Sequence, residues 1–391
     1  MTNISALAGE TTDAAGASGA AWDRAVQRCP KRMAHGPCAG VSVSGECEVP
    51  GFGRCSYLDV PDEGWPYQST RLFPEPSPGT APDPGGGPGT GAAPRTPAAA
   101  AFLAAARPVV VADLVAPSAA ADGKRAADGI RACAAPLAGL ADAVLIGDHP
   151  GARVQLPPSY RARLLADVGL TAWAGINCRD RNRAAIEGEL VACADAGVAG
   201  LHCVTGDHPA SGGGSGGAAV FDLDSISLVE LARRTGALCS VAHAPAAPPV
   251  RQRLPRLLAK VRAGADAVFV DHCGGAGHVA AAVRAVRAAG FGGLVLGCVP
   301  VVTSPDSAAV IASFAAGRLP PGYLDAIMTA PDPAEAGIAA ATSLARTFLG
   351  LPGMNGVNLS GGAGPGRELA AAHAMAEVSR RLADRAPGVV R

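Results

Sequence analysis

From Val109 onward the sequence alternates short apolar runs with amphipathic stretches, and it does so eight times. The runs are Val109–Val115, Ala143–Gly147, Thr171–Cys178, Gly200–Thr205, Leu238–His243, Ala267–Cys273, Leu294–Val301 and Gly356–Leu359. They are nearly continuous in Val, Ile, Leu and Ala, as strands covered on both faces require, rather than alternating apolar and polar. Between them lie stretches with helical periodicity: Ala126–Leu140, Tyr160–Val168, Ala184–Ala196, Ser227–Arg234, Leu254–Ala263, Gly277–Ala289, Ala308–Ala316 and, at the end, Arg367–Ala383. Parallel strands need such crossovers. The reading is α/β, a (β/α)8 TIM barrel. A doubly wound sheet is the alternative and would use fewer strands.

The segment before the barrel is of a different kind. Four cysteines, Cys29, Cys38, Cys47 and Cys55, are spaced C-x8-C-x8-C-x7-C among Gly and Pro, with few large apolar residues. So short a stretch needs a staple, and in a reducing compartment that is a metal held by thiolates. Zinc and an iron–sulfur cluster both fit, and four packed free thiols are the plain alternative. After it, PEPSPGTAPDPGGGPGTGAAPRTP carries too much Pro and Gly to pack. The expected division is a disordered tail over 1–26, a cysteine-rich metal-type module over 27–60, a Pro/Gly-rich linker over 61–105 and the barrel over 106–391.

Composition narrows the function classes. Lys+Arg and Asp+Glu number 33 each, so no net field favours nucleic acid or an acidic membrane. No run is long and apolar enough to span a bilayer, and the start lacks the basic and apolar regions of a secretory signal. Eleven cysteines without such a signal point to thiols or metal ligands in the cytoplasm.

In a barrel the chemistry lies at the C-terminal strand ends. Those ends carry Asp113, Asp148-His149, Asn177-Cys178-Arg179-Asp180, Thr205-Gly206-Asp207-His208, His243, Asp271-His272-Cys273 and Gly297-Cys298. Each has a structural alternative. Arg179 and Asp180 can pair and cap a helix, Cys203 and Cys298 can be small core residues, and His243 can be a satisfied core histidine. The run Ser360–Gly366 precedes a helix and could cradle a phosphate.

Three motifs then occur in order: Cys178-Arg179-Asp180-Arg181-Asn182, Thr205-Gly206-Asp207-His208-Pro209 and Phe221-Asp222-Leu223-Asp224-Ser225. Together they resemble the methylenetetrahydrofolate reductase family over roughly Val109 to Leu359. The cysteine stretch, with Cys29-Pro30-Lys31-Arg32-Met33, Gly36-Pro37-Cys38 and Cys47-Glu48-Val49, resembles the small cysteine-rich domain that accompanies some of these reductases. The resemblance implies a flavoprotein oxidoreductase of one-carbon metabolism, serving methionine biosynthesis. NAD(P)H would reduce a flavin, which passes hydride to 5,10-methylenetetrahydrofolate to give 5-methyltetrahydrofolate. Asp113 falls where the family has its acid, a glutamate, and Asp207 matches an aspartate beside flavin and pterin. Lys260 matches a lysine of the flavin site. Asp148, Asn177, Arg179, Asp180, Thr205, Gly206, His208, His243 and Asp271 are the remaining candidates for binding folate or cofactor.

Four positions depart from the pattern. Asp271 replaces a glutamine, Gly147 a threonine, Gly175 a histidine and Ala244 a tyrosine. FAD, the smaller FMN, or no flavin with direct transfer from NAD(P)H all remain open. So do a divergent folate-binding or methyl-transfer component and a scaffold subunit that docks a redox partner protein. A homo-oligomer is expected.

Overall fold

The computed structural model describes residues 13–67, 69, 72, 93–104, 107–119, 122–148, 154–211, 217–314 and 317–384. Two helices precede the sheet, α1 (Asp13–Arg28) and α2 (Pro97–Leu103). Then come β1 (Val109–Asp113), α3 (Gly123–Ala134), β2 (Ala143–Ile146), α4 (Pro158–Ala166), β3 (Ala172–Asn177), α5 (Arg183–Asp195), β4 (Gly200–Val204) and α6 (Ser225–Ala232). The second half holds β5 (Leu238–His243), α7 (Arg253–Ala263), β6 (Ala267–Val270), α8 (Ala276–Ala288) and β7 (Leu294–Val301). After α9 (Pro305–Ala312), α10 (Tyr323–Met328) and α11 (Pro333–Leu349) the chain ends with β8 (Gly356–Gly361) and α12 (Glu368–Ala383). The strands close in sequence order, all parallel, with β8 returning to β1 through Val109↔Gly356 to Asp113↔Ser360. This is a (β/α)8 barrel.

Alternation along each strand divides the core in two. Val110, Ala112, Val144, Ala174, Ile176, Leu201, Val241 and Val268 face the helices. Val109, Val111, Leu145, Trp173, Leu238, Phe269 and Leu296 fill the barrel's interior at its N-terminal end. Trp173 is fully buried, and a Cβ on Gly200 would stand 2.2 Å from its ring. Gly200 is therefore the space that the indole occupies. Below the indole, α2 closes the barrel floor: Phe102 meets Trp173 edge-on at 5.1 Å. Thr96 caps this helix through Ala99 N–H, and Pro97 opens it.

Two expectations about the N-terminal region change. The tail expected over 1–26 becomes helical at Asp13, and Ala25 is buried with Met33, Val41, Cys55, Tyr57, Val60 and Trp65 in a small apolar cluster of its own. The linker expected over 61–105 contributes Trp65 to that cluster and α2 to the barrel floor. Most of the Pro/Gly-rich run, residues 73–92, lies outside the described residues, as does His149. The connection from β7 to β8 holds α9, α10 and α11, where one helix was expected.

Candidate active site

Asp113, the last residue of β1, points into the barrel from its C-terminal end, level with Ser360 of β8. Burial, followed by the nearby Asp271 charge and opposed by a hydrogen bond from Asn358, pushes its carboxyl up to about 7. Asn358 on β8 is buried, and its Nδ2 also reaches Cys298 Sγ of β7 at 3.7 Å. The buried Asn358 Oδ1 has no hydrogen-bond partner among the described residues. Asp271 Oδ1 accepts the His272 N–H at 2.8 Å. Asp113, Asp271, Cys298 and Asn358 thus form one cluster from β1, β7, β8 and the residue just after β6. Burial raises the Cys298 thiol well above its ordinary range, which keeps it protonated.

Asp207 is exposed on the turn after β4, nearly opposite β1 in a barrel of this order. Gly206 before it takes φ +84°, and a Cβ there would come within 2.9 Å of Asn177 Cβ. Thr205 Oγ1 accepts the Ser225 N–H at 3.2 Å, and His208 stacks on Phe221 at 5.9 Å. An acid with a raised pKa thus ends β1, and an exposed carboxylate sits on the turn after β4, where its charge acts on Lys31.

The candidates on β2 and β3 have a different situation. Asp148 meets Arg161 at 2.5 Å and Arg181 at 3.1 Å, and also accepts from Asn177 Nδ2. Burial works to raise this carboxyl, but the two guanidiniums outweigh it and hold it below the usual range. Asn177 Oδ1 takes the Arg179 N–H at 2.9 Å. Arg179 and Asp180 pair at 2.9 Å. These four residues have their polar atoms engaged with one another and with Arg161, so they shape the β2–β3 lip. Asn182 and Asp224, from the quoted motifs, are N-caps of α5 and α6.

His243 and Lys260 are both buried at β5 and α7. Lys260 Nζ donates to the Ala242 carbonyl at 2.8 Å. Burial, then Arg256 and Arg253, lower its pKa well below that of a free lysine. Burial likewise lowers His243, to about 3. The family's flavin contacts fit poorly here. A Cβ on Gly175 would stand 2.6 Å from Gly147 Cα, so β2 and β3 present bare backbone to each other. Ala244 offers no polar group, and Lys260 is engaged. Within the Ser360–Gly366 run Gly362 is packed, since a Cβ there would meet Val310 at 2.5 Å, while Pro365 and Gly366 are exposed.

Cys29, Cys38, Cys47 and Cys55 line one cavity of about 10 Å³, bounded also by Pro37, Val41 and Tyr57. Backbone hydrogen bonds reach three of the sulfurs, from Lys31 and Met33 to Cys29, Val49 to Cys47 and Tyr57 to Cys55. Burial raises these three thiols, Cys55 to about 12. The donor set suits a tetrathiolate site. Among the described residues, however, no three His, Cys, Asp or Glu side chains stand in ready-made metal-binding geometry.

Sequence reasoning missed Asn358, Arg161, Lys31 and Glu48. Asn358 lies within an apolar run, and Arg161 is one of several arginines of an amphipathic helix. Lys31 and Glu48 gain meaning only through contacts with the β4 turn.

A sequence profile described as methylenetetrahydrofolate reductase matches residues 139–352. A second, described as methylene-tetrahydrofolate reductase C terminal, matches residues 23–70. No curated protein matches the chain significantly. Among solved structures, an uncharacterised protein from Clostridium thermocellum that binds two copies of 5-methyl-5,6,7,8-tetrahydrofolic acid has a TM-score of 0.51 at 12% identity, covering 69% of this chain and 94% of its own. A 2,3-dimethylmalate lyase has a TM-score of 0.41 at 14% identity, covering 68% and 81%. Tryptophan synthase from M. tuberculosis has 0.39 at 17%, covering 73% and 97%. Among the described residues no helix is long and apolar enough to cross a membrane.

Proposed function

Because the chain belongs to the methylenetetrahydrofolate reductase family, we propose that it converts 5,10-methylenetetrahydrofolate to 5-methyltetrahydrofolate with NAD(P)H as the electron source. The observation that carries this is Asp113: a carboxylic acid inside the barrel mouth whose environment keeps it protonated up to about pH 7. The bridging methylene accepts hydride only after the five-membered ring opens. Asp113 donates its proton to the departing nitrogen, leaving an iminium carbon on the other nitrogen. Hydride adds to that carbon and forms the methyl group, so one proton and one hydride are consumed. Asp207, opposite, accepts hydrogen bonds from the pterin. The lip built by Asp148, Asn177, Arg179 and Asp180 fixes the mouth's shape. The residues at the family's flavin positions make no polar cradle, and no step assigned to this chain runs through a flavin.

Asp113→Asn keeps the shape and removes the proton. Turnover of methylenetetrahydrofolate should fall by about two orders of magnitude or more while 5-methyltetrahydrofolate still binds. Unchanged turnover would show that Asp113 is not the acid. Flavin absorbance of the purified protein decides separately whether hydride passes through that group.

The bare Gly147–Gly175 wall favours a second reading, a folate-binding or methyl-transfer component without reductase activity. The folate bound by the C. thermocellum protein supports a folate ligand in both readings. Binding without turnover of NAD(P)H by the wild-type chain selects the second. For the cysteine segment, we propose one zinc ion on Cys29, Cys38, Cys47 and Cys55, since all four line a single cavity. Elemental analysis of the wild type against Cys38→Ser tests it: equal zinc contents reject the site.

A further inference from the structure

The turn that carries Asp207 is held from outside the barrel. Lys31 Nζ donates to the Gly206 carbonyl at 2.7 Å, and the His208 N–H donates to Glu48 Oε1 at 2.6 Å. Lys31 and Glu48 are themselves paired through that same oxygen at 2.5 Å, with 4% and 8% of their side chains exposed. One ion pair of the cysteine segment thus takes the backbone groups on both sides of Asp207. We propose that Lys31 and Glu48 are positioning residues of the folate site, a clamp that sets the direction of Asp207 and makes the N-terminal segment part of that site.

Local structure on both sides is built around this contact. Gly206 adopts φ +84°, in the left-handed region, and its carbonyl accepts from Lys31. A Cβ on Gly40 would lie 1.6 Å from Glu48 Oε2, so the segment's backbone leaves room for the glutamate. The Lys31 ammonium also lies 5.7 Å from the ring centroid of Phe221, which holds φ +40° on the chain leading to α6. A buried ion pair is a weak source of net stability, because desolvation offsets its attraction. Its hydrogen bonds do fix geometry, and here they fix the two peptides flanking one carboxylate.

The rest of the docking surface is separate. His35 pairs with Asp224 at 2.9 Å, Arg253 donates to the Pro37 and Cys38 carbonyls at 3.1 Å, and Arg256 donates to the His35 carbonyl at 2.9 Å. These contacts seat the segment on α6 and α7 without touching the Asp207 turn. Docking and clamping can therefore be broken independently.

The inference rests on the folate reading of the site, and the test separates the two. In the full-length chain, Lys31→Met and Glu48→Gln are compared with Lys31→Arg and with His35→Ala, which weakens docking alone. Amide hydrogen exchange over 205–211, the Kd for 5-methyltetrahydrofolate and the thermal midpoint are measured on each. Lys31→Met and Glu48→Gln should speed exchange at the His208 amide and raise the Kd about tenfold, a loss of ~1.4 kcal/mol. Lys31→Arg should restore most of the affinity. His35→Ala should lower the midpoint and leave the Kd near that of the wild type. Unchanged exchange in both clamp variants overturns the clamp whatever the site binds. Equal rises in Kd for His35→Ala and Lys31→Met overturn it in favour of docking alone. A wild-type chain that binds no folate removes the folate reading, and the exchange result then still decides the clamp.

Discussion

Asp113 ties stability and activity to the same proton. Its folded-state value of about 7 stands above the 3.8 of an ordinary aspartate. Between those values the folded chain holds a proton that the unfolded chain has released, so the contribution to stability is full below 3.8 and is lost as pH rises to about 7. Asp113→Asn abolishes this titration. Relative to the wild type, the variant should gain ~4 kcal/mol between about pH 4 and pH 8, read by denaturant melts at both. Turnover by the wild type should decline above about pH 7 as the acid ionises. Asp148 behaves in the opposite way because two guanidiniums hold it ionised. Arg161→Met leaves a buried carboxylate with one of its cations missing and should cost ~3–5 kcal/mol in the same melts. A loss under about 1 kcal/mol would show that Arg181 alone suffices.

At the scale of elements, the barrel was legible because burial on both faces leaves a signature in composition: all eight apolar runs are strands. What escaped depends on partners distant in sequence. The segment over 97–103 reads as linker, yet it forms α2 because Phe102 finds the open end of the barrel. Phe102→Ala should cost ~3–5 kcal/mol in a thermal or denaturant melt. Folate affinity should be unchanged, since the plug lies at the end away from the site. α11 escaped because the pattern allots one helix per crossover, whereas the β7–β8 connection carries three. Asn358 was invisible for a related reason. On an inward strand position its amide meets Asp113 and Cys298, but the local sequence shows only an apolar strand.

For the molecule as a whole, the cysteine segment and the barrel are joined by charged and polar contacts around β4, α6 and α7. Under the zinc proposal, removing the metal releases the loops that carry Lys31 and Glu48. Stripping it with a chelator should raise the Kd for 5-methyltetrahydrofolate to about the Lys31→Met value, about tenfold, and restored zinc should reverse it. Trp22 and Trp65, whose rings stand 5.3 Å apart within the segment, supply a fluorescence signal for its release. An emission change without a change in affinity would uncouple the two.

Lys31 and Gly206 lie 175 residues apart. A ribosome elongating at ~5–20 residues per second makes the first of them roughly ten to thirty seconds before the second. During synthesis the four thiols are therefore present while their docking surface does not yet exist, and the hypothesis follows that they are guarded early, by metal or by a chaperone. Thiol labelling of nascent chains stalled before residue 133, which hold those four cysteines alone, would show it. Four freely reactive cysteines at that stage would mean that the growing chain leaves them unprotected until the barrel's first half emerges.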